Sequence, residues 1–239
     1  MTTWLFDLGN TRLKCAPLLD GERLGAVQAM AHDNAEAWLR VLPEGEVACV
    51  ASVASEARRV ALFDALSARF QRVHRVRTEC TLGALQIAYA NPEHLGVDRF
   101  LAMLGACGQG ATLWVGVGTA LTIDLVDISG MHRGGRIAPS PQLMRESLHQ
   151  RAAQLPETGG CYAEFADDTD HALASGCEGA ALALIERSLQ AATALLGSTP
   201  QLVLHGGGAE SLRPHLAEHR WVPDAVLHGL VHWHALRMA

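Results

Sequence analysis

The feature that most constrains the fold of this chain is a theme that occurs twice: a short apolar run, a glycine turn, and a second apolar run. Residues 4–6 are apolar and lead into Asp7-Leu8-Gly9-Asn10-Thr11. A second run over 13–19 then ends at Asp20-Gly21. Such an arrangement predicts consecutive hairpin strands. The theme returns with an apolar, β-branched run over 113–117, the turn Gly118-Thr119, a run over 121–126 and the tip Ser129-Gly130. Placing Asp7-Leu8-Gly9-Asn10-Thr11 over Gly116-Val117-Gly118-Thr119-Ala120 aligns the turn glycines, Gly9 on Gly118, at an offset of 109 residues. The chain therefore reads as two copies of one fold half.

Between and after these hairpins the pattern alternates helix-like and strand-like stretches, at 34–42, 47–53, 56–70 and 72–76. A turn-rich loop at Tyr89-Ala90-Asn91-Pro92 leads to a helix expected over 98–107. Later come helices at 141–154 and 173–196, a strand at 201–205, the run Gly206-Gly207-Gly208 and a helix at 225–238. This is an α/β pattern. Two lobes are expected, 1–110 and 111–239, with a cleft near 98–112. The stretch 157–170 is the least regular. With 49% apolar and 18% charged residues in 239, the chain has the balance of a folded protein with a substantial core.

Charge and composition narrow the function. A net charge of −6 offers no basic surface for a phosphate backbone, so nucleic acid is not expected as a partner. Asp7, Asp124, Asp127, Glu178 and Glu186 interrupt the apolar runs, so neither a secretory signal nor a membrane span is expected, and the cytoplasm is the default compartment. Six scattered cysteines without a C-x-x-C pair read as reduced, buried thiols. His228, His232 and His234 lack the H-E-x-x-H context of zinc sites and read as surface or interface residues.

Two glycine turns, each bearing Thr, suit phosphate binding, because the backbone N–H groups of a tight turn converge on an anion. Neither turn is a Walker loop or a dinucleotide fingerprint, since both join strand to strand. Asp7 at the lip of the first turn suits Mg²⁺, directly or through water, and Lys14 suits a phosphate as a point charge. The plainer reading is a turn cap and a solvated strand-end lysine.

The segment Asp7-Leu8-Gly9-Asn10-Thr11-Arg12-Leu13-Lys14 resembles the first phosphate motif, D-x-G-N-T-x-x-K, of the type III pantothenate kinases in the sugar kinase, Hsp70 and actin superfamily. Tyr89 to Arg99 resembles their substrate motif, Y-x-N-P-x-x-L-G-x-D-R. Gly118-Thr119-Ala120-Leu121-Thr122-Ile123-Asp124 resembles their second phosphate motif, and Gly134-Gly135-Arg136-Ile137-Ala138-Pro139 falls where they carry G-G-x-I-x-P. The resemblance implies two actin-like, ribonuclease H-like lobes with a nucleotide cleft between them. It also implies ATP-dependent phosphorylation of pantothenate with Mg²⁺, and a homodimer whose interface includes the long helices of the second half.

Site roles follow from the same resemblance. Asp98 matches the family's general base, although its position alone equally suits a helix N-cap. Tyr89, Gly96, Val97, Asp98, Arg99 and Thr169 match substrate-site positions. Asp7 to Lys14 and Thr119 match ATP-binding positions, while Gly206-Gly207-Gly208 resembles an adenosine motif or is a plain strand-to-helix turn. Asp124 reads either as a second acidic group near the metal or as an ordinary strand residue. Many relatives carry an aspartate where this chain has Gly116, and it helps them hold a monovalent cation, so that site is in doubt here. A non-catalytic accessory member of the family and a phosphatase of the superfamily are the competing readings. The first need not retain Asp7, Lys14, Asp98 and Arg99, and the second does not explain the Tyr-x-Asn-Pro stretch.

Overall fold

The computed structural model describes residues 2–32, 37–105, 108, 110–152, 154–216 and 218–238. The chain divides into two compact units, Met1–Gln109 with Asp224–Ala239, and Gly110–Pro223.

The first unit opens with β1 (Thr3–Leu8) and β2 (Arg12–Leu19), followed by the short strands β3 (Arg23–Leu24) and β4 (Gln28–Ala31), α1 (Ala37–Arg40) and β5 (Gly45–Ser52). It continues with α2 (Glu56–Ser67), β6 (Phe70–Arg75), the small hairpin β7 (Thr81–Leu82) and β8 (Leu85–Gln86), and α3 (Val97–Leu104). Its sheet runs β3-β2-β1-β5-β6, with β4 also on β2. β1 pairs antiparallel with β2 and parallel with β5, so the meander at one edge passes into a parallel half. β5 is buried without a break from Val47 to Ala51. That is the continuous apolar run of a strand covered on both faces. One face meets Leu62 and Leu66 of α2.

The second unit repeats this plan. β9 (Thr112–Val117), β10 (Ala120–Val126) and β11 (His132–Pro139) form a meander. α4 (Pro141–Arg151) and α5 (Thr169–Leu196) follow, then β12 (Gln201–His205) and β13 (Arg220–Trp221). The sheet order β11-β10-β9-β12-β13 matches the first unit, with β9 antiparallel to β10 and parallel to β12. Shifting the bounds of β1 by 109 gives those of β9, so the repeat read from the turn glycines extends to whole strands. Leu113, Val115 and Val117 pack with Ile123 and Leu125 and with Ala181, Leu182 and Ile185 of α5.

The last element, α6 (Ala225–Arg237), belongs to the first unit. The sequence-based boundary placed all of 111–239 in the second lobe, which is corrected here. α6 buries Leu227, Leu230, Val231 and Trp233 against α3 and the first sheet. A Cβ on Gly229 would stand 2.0 Å from the Leu101 carbonyl oxygen, so glycine is what lets α6 lie this close to α3.

Other boundaries also moved. α5 begins at Thr169 rather than 173, because the Asp168 carboxylate accepts from the His171 N–H at 2.8 Å and caps it. The helix expected over 98–107 ends at Leu104, with Cys107 outside the described residues. The first part of the 34–42 stretch is outside them too. Cys80 and Cys161 are exposed, contrary to the expectation of buried thiols. Burial pushes the Cys15 thiol up to about 11 and the Cys49 thiol up to about 12, which leaves both unreactive. Among the described residues no helix is long and apolar enough to cross a membrane.

Candidate active site

The first glycine turn is held by its carbonyls. Gly9 N–H donates to the Arg12 carbonyl at 3.1 Å and closes the turn. His32 Nε2 donates to the Gly9 carbonyl at 3.2 Å, His32 N–H to the Thr11 carbonyl at 3.2 Å, and Arg58 to the Asn10 carbonyl at 2.6 Å. The turn is thus fixed from outside, while Asn10, Thr11 and Arg12 remain exposed. Leu8 and Leu13 are wholly buried, so any part they play in nucleotide binding belongs to their backbone.

Asp7 and Lys14 stand opposite each other across β1 and β2. Lys14 Nζ donates to Asp224 Oδ1 at 2.8 Å. The Asp7 carboxyl is pushed up to about 7 from its ordinary 3.8. Loss of water around it is the main cause, the Asp98 carboxylate adds to this, Lys14 opposes it, and Asp224 adds again. Three carboxylates within electrostatic reach of one ammonium leave an excess of negative charge. A divalent cation is the natural complement to that excess. Among the described residues there is no group of three His, Cys, Asp or Glu side chains able to hold a metal alone. The set fits Mg²⁺, which uses one or two carboxylates and takes its other ligands from water and phosphate.

Asp98 lies in the first turn of α3. The N-cap is Gly96, not Asp98, and Asp98 Oδ1 accepts from the Arg99 N–H at 2.8 Å. The plain capping reading is therefore wrong in position, although the carboxylate does take up one first-turn donor. Arg99 is 5% exposed. Its guanidinium lies 5.9 Å from the Tyr89 ring centre and donates to the Tyr89 hydroxyl at 3.4 Å. A buried cation against a half-buried phenol suits recognition of a polar, anionic small molecule. Gly96 and Val97 stand immediately before Asp98 at the start of the same helix, and Val97 is buried.

In the second unit, Thr119 is exposed at its turn, and its carbonyl accepts from the Ser140 hydroxyl at 3.0 Å. Ser140 in turn caps α4, so helix and turn are braced together. A Cβ on Gly116 would lie 2.7 Å from two His205 ring atoms and from Thr122 Oγ1, so the place of a side chain here is taken by an imidazole. Asp124 is 3% exposed, and its Oδ1 lies 3.0 Å from Nε2 of the buried His132. It is an interior strand residue paired with a histidine. Thr169 is exposed at the first position of α5. Gly206-Gly207-Gly208 follows β12 and passes into a short 3-10 turn, with no regular helix behind it.

Sequence reasoning missed His32, Arg58, His205 and Asp224. Asp224 carried a faint signal, since it follows Pro223 at an expected helix start, but nothing connects it in sequence to Lys14, 210 residues away.

Comparison with known proteins gives the family and the fold. The family model described as type III pantothenate kinase matches residues 4–191. A type III pantothenate kinase of Stenotrophomonas maltophilia (strain R551-3) is 57% identical over 238 residues, covering 98% of this chain and 97% of that protein. One from Xanthomonas campestris pv. campestris (strain B100) is 56% identical over 237 residues, with the same coverage of each. Among solved structures, a Campylobacter jejuni protein assigned to the Baf family of transcriptional activators superposes with a TM-score of 0.64 at 19% identity, covering 95% of this chain and 94% of that one. A ROK family glucokinase from Streptomyces griseus, in complex with glucose and AMPPNP, gives 0.51 at 12% identity, covering 97% and 98%. At such identities these two establish the fold alone.

Proposed function

Because the chain belongs to the type III pantothenate kinase family, we propose that the acidic group around Asp7 and Asp98 is the site at which it works. The enzyme phosphorylates pantothenate at the expense of ATP, the first step towards coenzyme A. In the reading favoured here, Asp98 accepts the proton of the pantothenate hydroxyl while that oxygen attacks the γ-phosphoryl group and ADP departs. Arg99 and Tyr89, with Gly96 and Val97 beside them, bind the pantothenate. Thr169 is a further substrate contact.

The turn from Asp7 to Lys14 and the second turn at Thr119 bind the ATP phosphates through backbone N–H groups, hydroxyls and the Lys14 ammonium. Asp7 is the ligand for Mg²⁺, which neutralises developing charge on the phosphoryl oxygens when bound. Asp124, paired with His132, is left out of the metal site. The monovalent-cation site that Gly116 puts in doubt is absent in this reading, since His205 stands where a carboxylate would enter. The cytoplasm is the setting that suits the substrates.

The observation that supports the assignment is geometric: Asp7 stands opposite Lys14 across the strand pair, Lys14 is held by Asp224, and Asp98 is near enough to Asp7 to help push its carboxyl up to about 7. An accessory protein need not retain such a charge arrangement. The test is Asp98→Asn, which keeps size and polarity but removes the proton acceptor. Phosphorylation should fall by about 10²- to 10⁴-fold while ATP-analogue affinity stays near wild type. Turnover near wild type sinks the assignment of Asp98.

A homodimer belongs to the same reading. The middle of α5 buries Ala181, Leu182 and Ile185 in its own unit and leaves little for a partner. The better support is the set of large apolar side chains that the second unit leaves exposed, Ile137, Leu148 and Phe165 at 66%, 43% and 98%, together with an apolar cavity of about 470 Å³ lined by Met144, Leu148, Leu173 and Cys177. Sedimentation at micromolar concentration should show a dimer, and a fully active monomer contradicts this.

A further inference from the structure

Asp224 is the last residue before α6, but its carboxylate does not cap that helix. Its backbone carbonyl accepts from the His228 N–H, and the side chain turns to Lys14 instead, with Oδ1 2.8 Å from Nζ. Both side chains are about four-fifths covered, 21% and 22% exposed. Lys14 is also the residue across the strand pair from Asp7, one turn away from Gly9. An ammonium on four rotatable carbons surrenders considerable rotamer freedom when it is fixed on a phosphate. A carboxylate that already holds it removes part of that loss beforehand. Nζ carries three donors, so a bond to Asp224 does not use up its capacity to meet a phosphate oxygen. A partly exposed ion pair adds little to stability, so fold maintenance is a weak reason for this one.

We propose that Asp224 is a positioning residue for nucleotide binding: it holds the Lys14 ammonium beside the first phosphate turn before ATP arrives. The inference rests on the reading that Lys14 serves the ATP phosphates. It gives the residue that leads into the C-terminal helix a task in the active site of the first unit.

The test is a double-mutant cycle on the full chain, reading the affinity for a non-hydrolysable ATP analogue in Mg²⁺ buffer by calorimetry. Lys14→Met should weaken binding by about tenfold or more, and Asp224→Asn by about three- to tenfold. The double variant should be no weaker than Lys14→Met alone, because Asp224 acts through Lys14. Asp224→Glu should recover part of the loss, and the KM for pantothenate should stay within about twofold for Asp224→Asn, since the effect lies on the nucleotide side. Wild-type or tighter binding by Asp224→Asn, or losses that simply add in the double variant, overturns the proposal. Wild-type binding by Lys14→Met overturns the role of Lys14 itself and the proposal with it, an outcome distinguishable from failure at Asp224 alone.

Discussion

At the end of β1 the first unit carries Asp7, and at the equivalent place on β9 the second carries Gly116. The neighbouring parallel strand differs in the opposite sense. Asp7 lies beside Ala51 of β5, whereas Gly116 lies beside His205 of β12. The antiparallel neighbours differ as well, with Lys14 opposite Asp7 and Thr122 opposite Gly116. One backbone plan therefore presents a carboxylate opposite an ammonium in one unit, and a bare glycine under an imidazole in the other. The repeat fixes where a functional group can stand, while the side chains decide whether that place attracts a cation.

The comparison is sharpened most by Asp7→Asn, expected to weaken binding of the Mg²⁺–nucleotide complex by about ten- to a hundredfold. The same change should stabilise the protein without ligands. Asp7 titrates near 7 when folded and near 3.8 when unfolded, so between these values the folded state holds more protons. Stability from this group is present at low pH and is lost as pH rises through about 7. The variant and wild type should melt together near pH 4, and above pH 7 the variant should be more stable by about 1–3 kcal/mol, allowing for screening of a partly open group. A variant no more stable at pH 8 means that Asp7 is not under strain and the contrast with Gly116 is only one of shape.

A smaller effect is expected at the other sheet. Gly116→Asp forces its Cβ into the His205 ring and Thr122, and should destabilise by about 1–3 kcal/mol, read as a lower melting temperature. Combining it with His205→Ala should recover part of that loss. The smallest effect concerns potassium. Initial rates in potassium, sodium and large organic-cation buffers at equal ionic strength should agree within about twofold. A steep rise specific to potassium breaks the comparison, because the second unit would then hold a cation through other ligands.

Much of the fold was legible because the two hairpins carry their own markers, a glycine turn between apolar runs and a two-residue tip. The strands β3, β7, β8 and β13 are two residues long, too short to show any period, and were invisible. α6 was recognisable as a helix, but its unit was not, because sequence order places it after the second sheet while its apolar faces and Gly229 fit α3. At the site, Asp7, Lys14 and Asp98 stood out through the residues around them. His32, Arg58, Asp224 and His205 did not, since each acts on a partner brought near only by tertiary folding. Asp124 shows the converse: an acid inside a recognisable motif that the fold turns into the interior against His132.

The central claim is that the acidic end of the first sheet transfers phosphate from ATP to pantothenate. It is tested most directly by following ADP release from purified protein with Mg²⁺ and ATP, with and without pantothenate, and weighing the product. The expected result is ADP release that depends on pantothenate and a product heavier than pantothenate by one phosphoryl group. Release of ADP and free phosphate at the same rate without pantothenate, or no release at all, contradicts it.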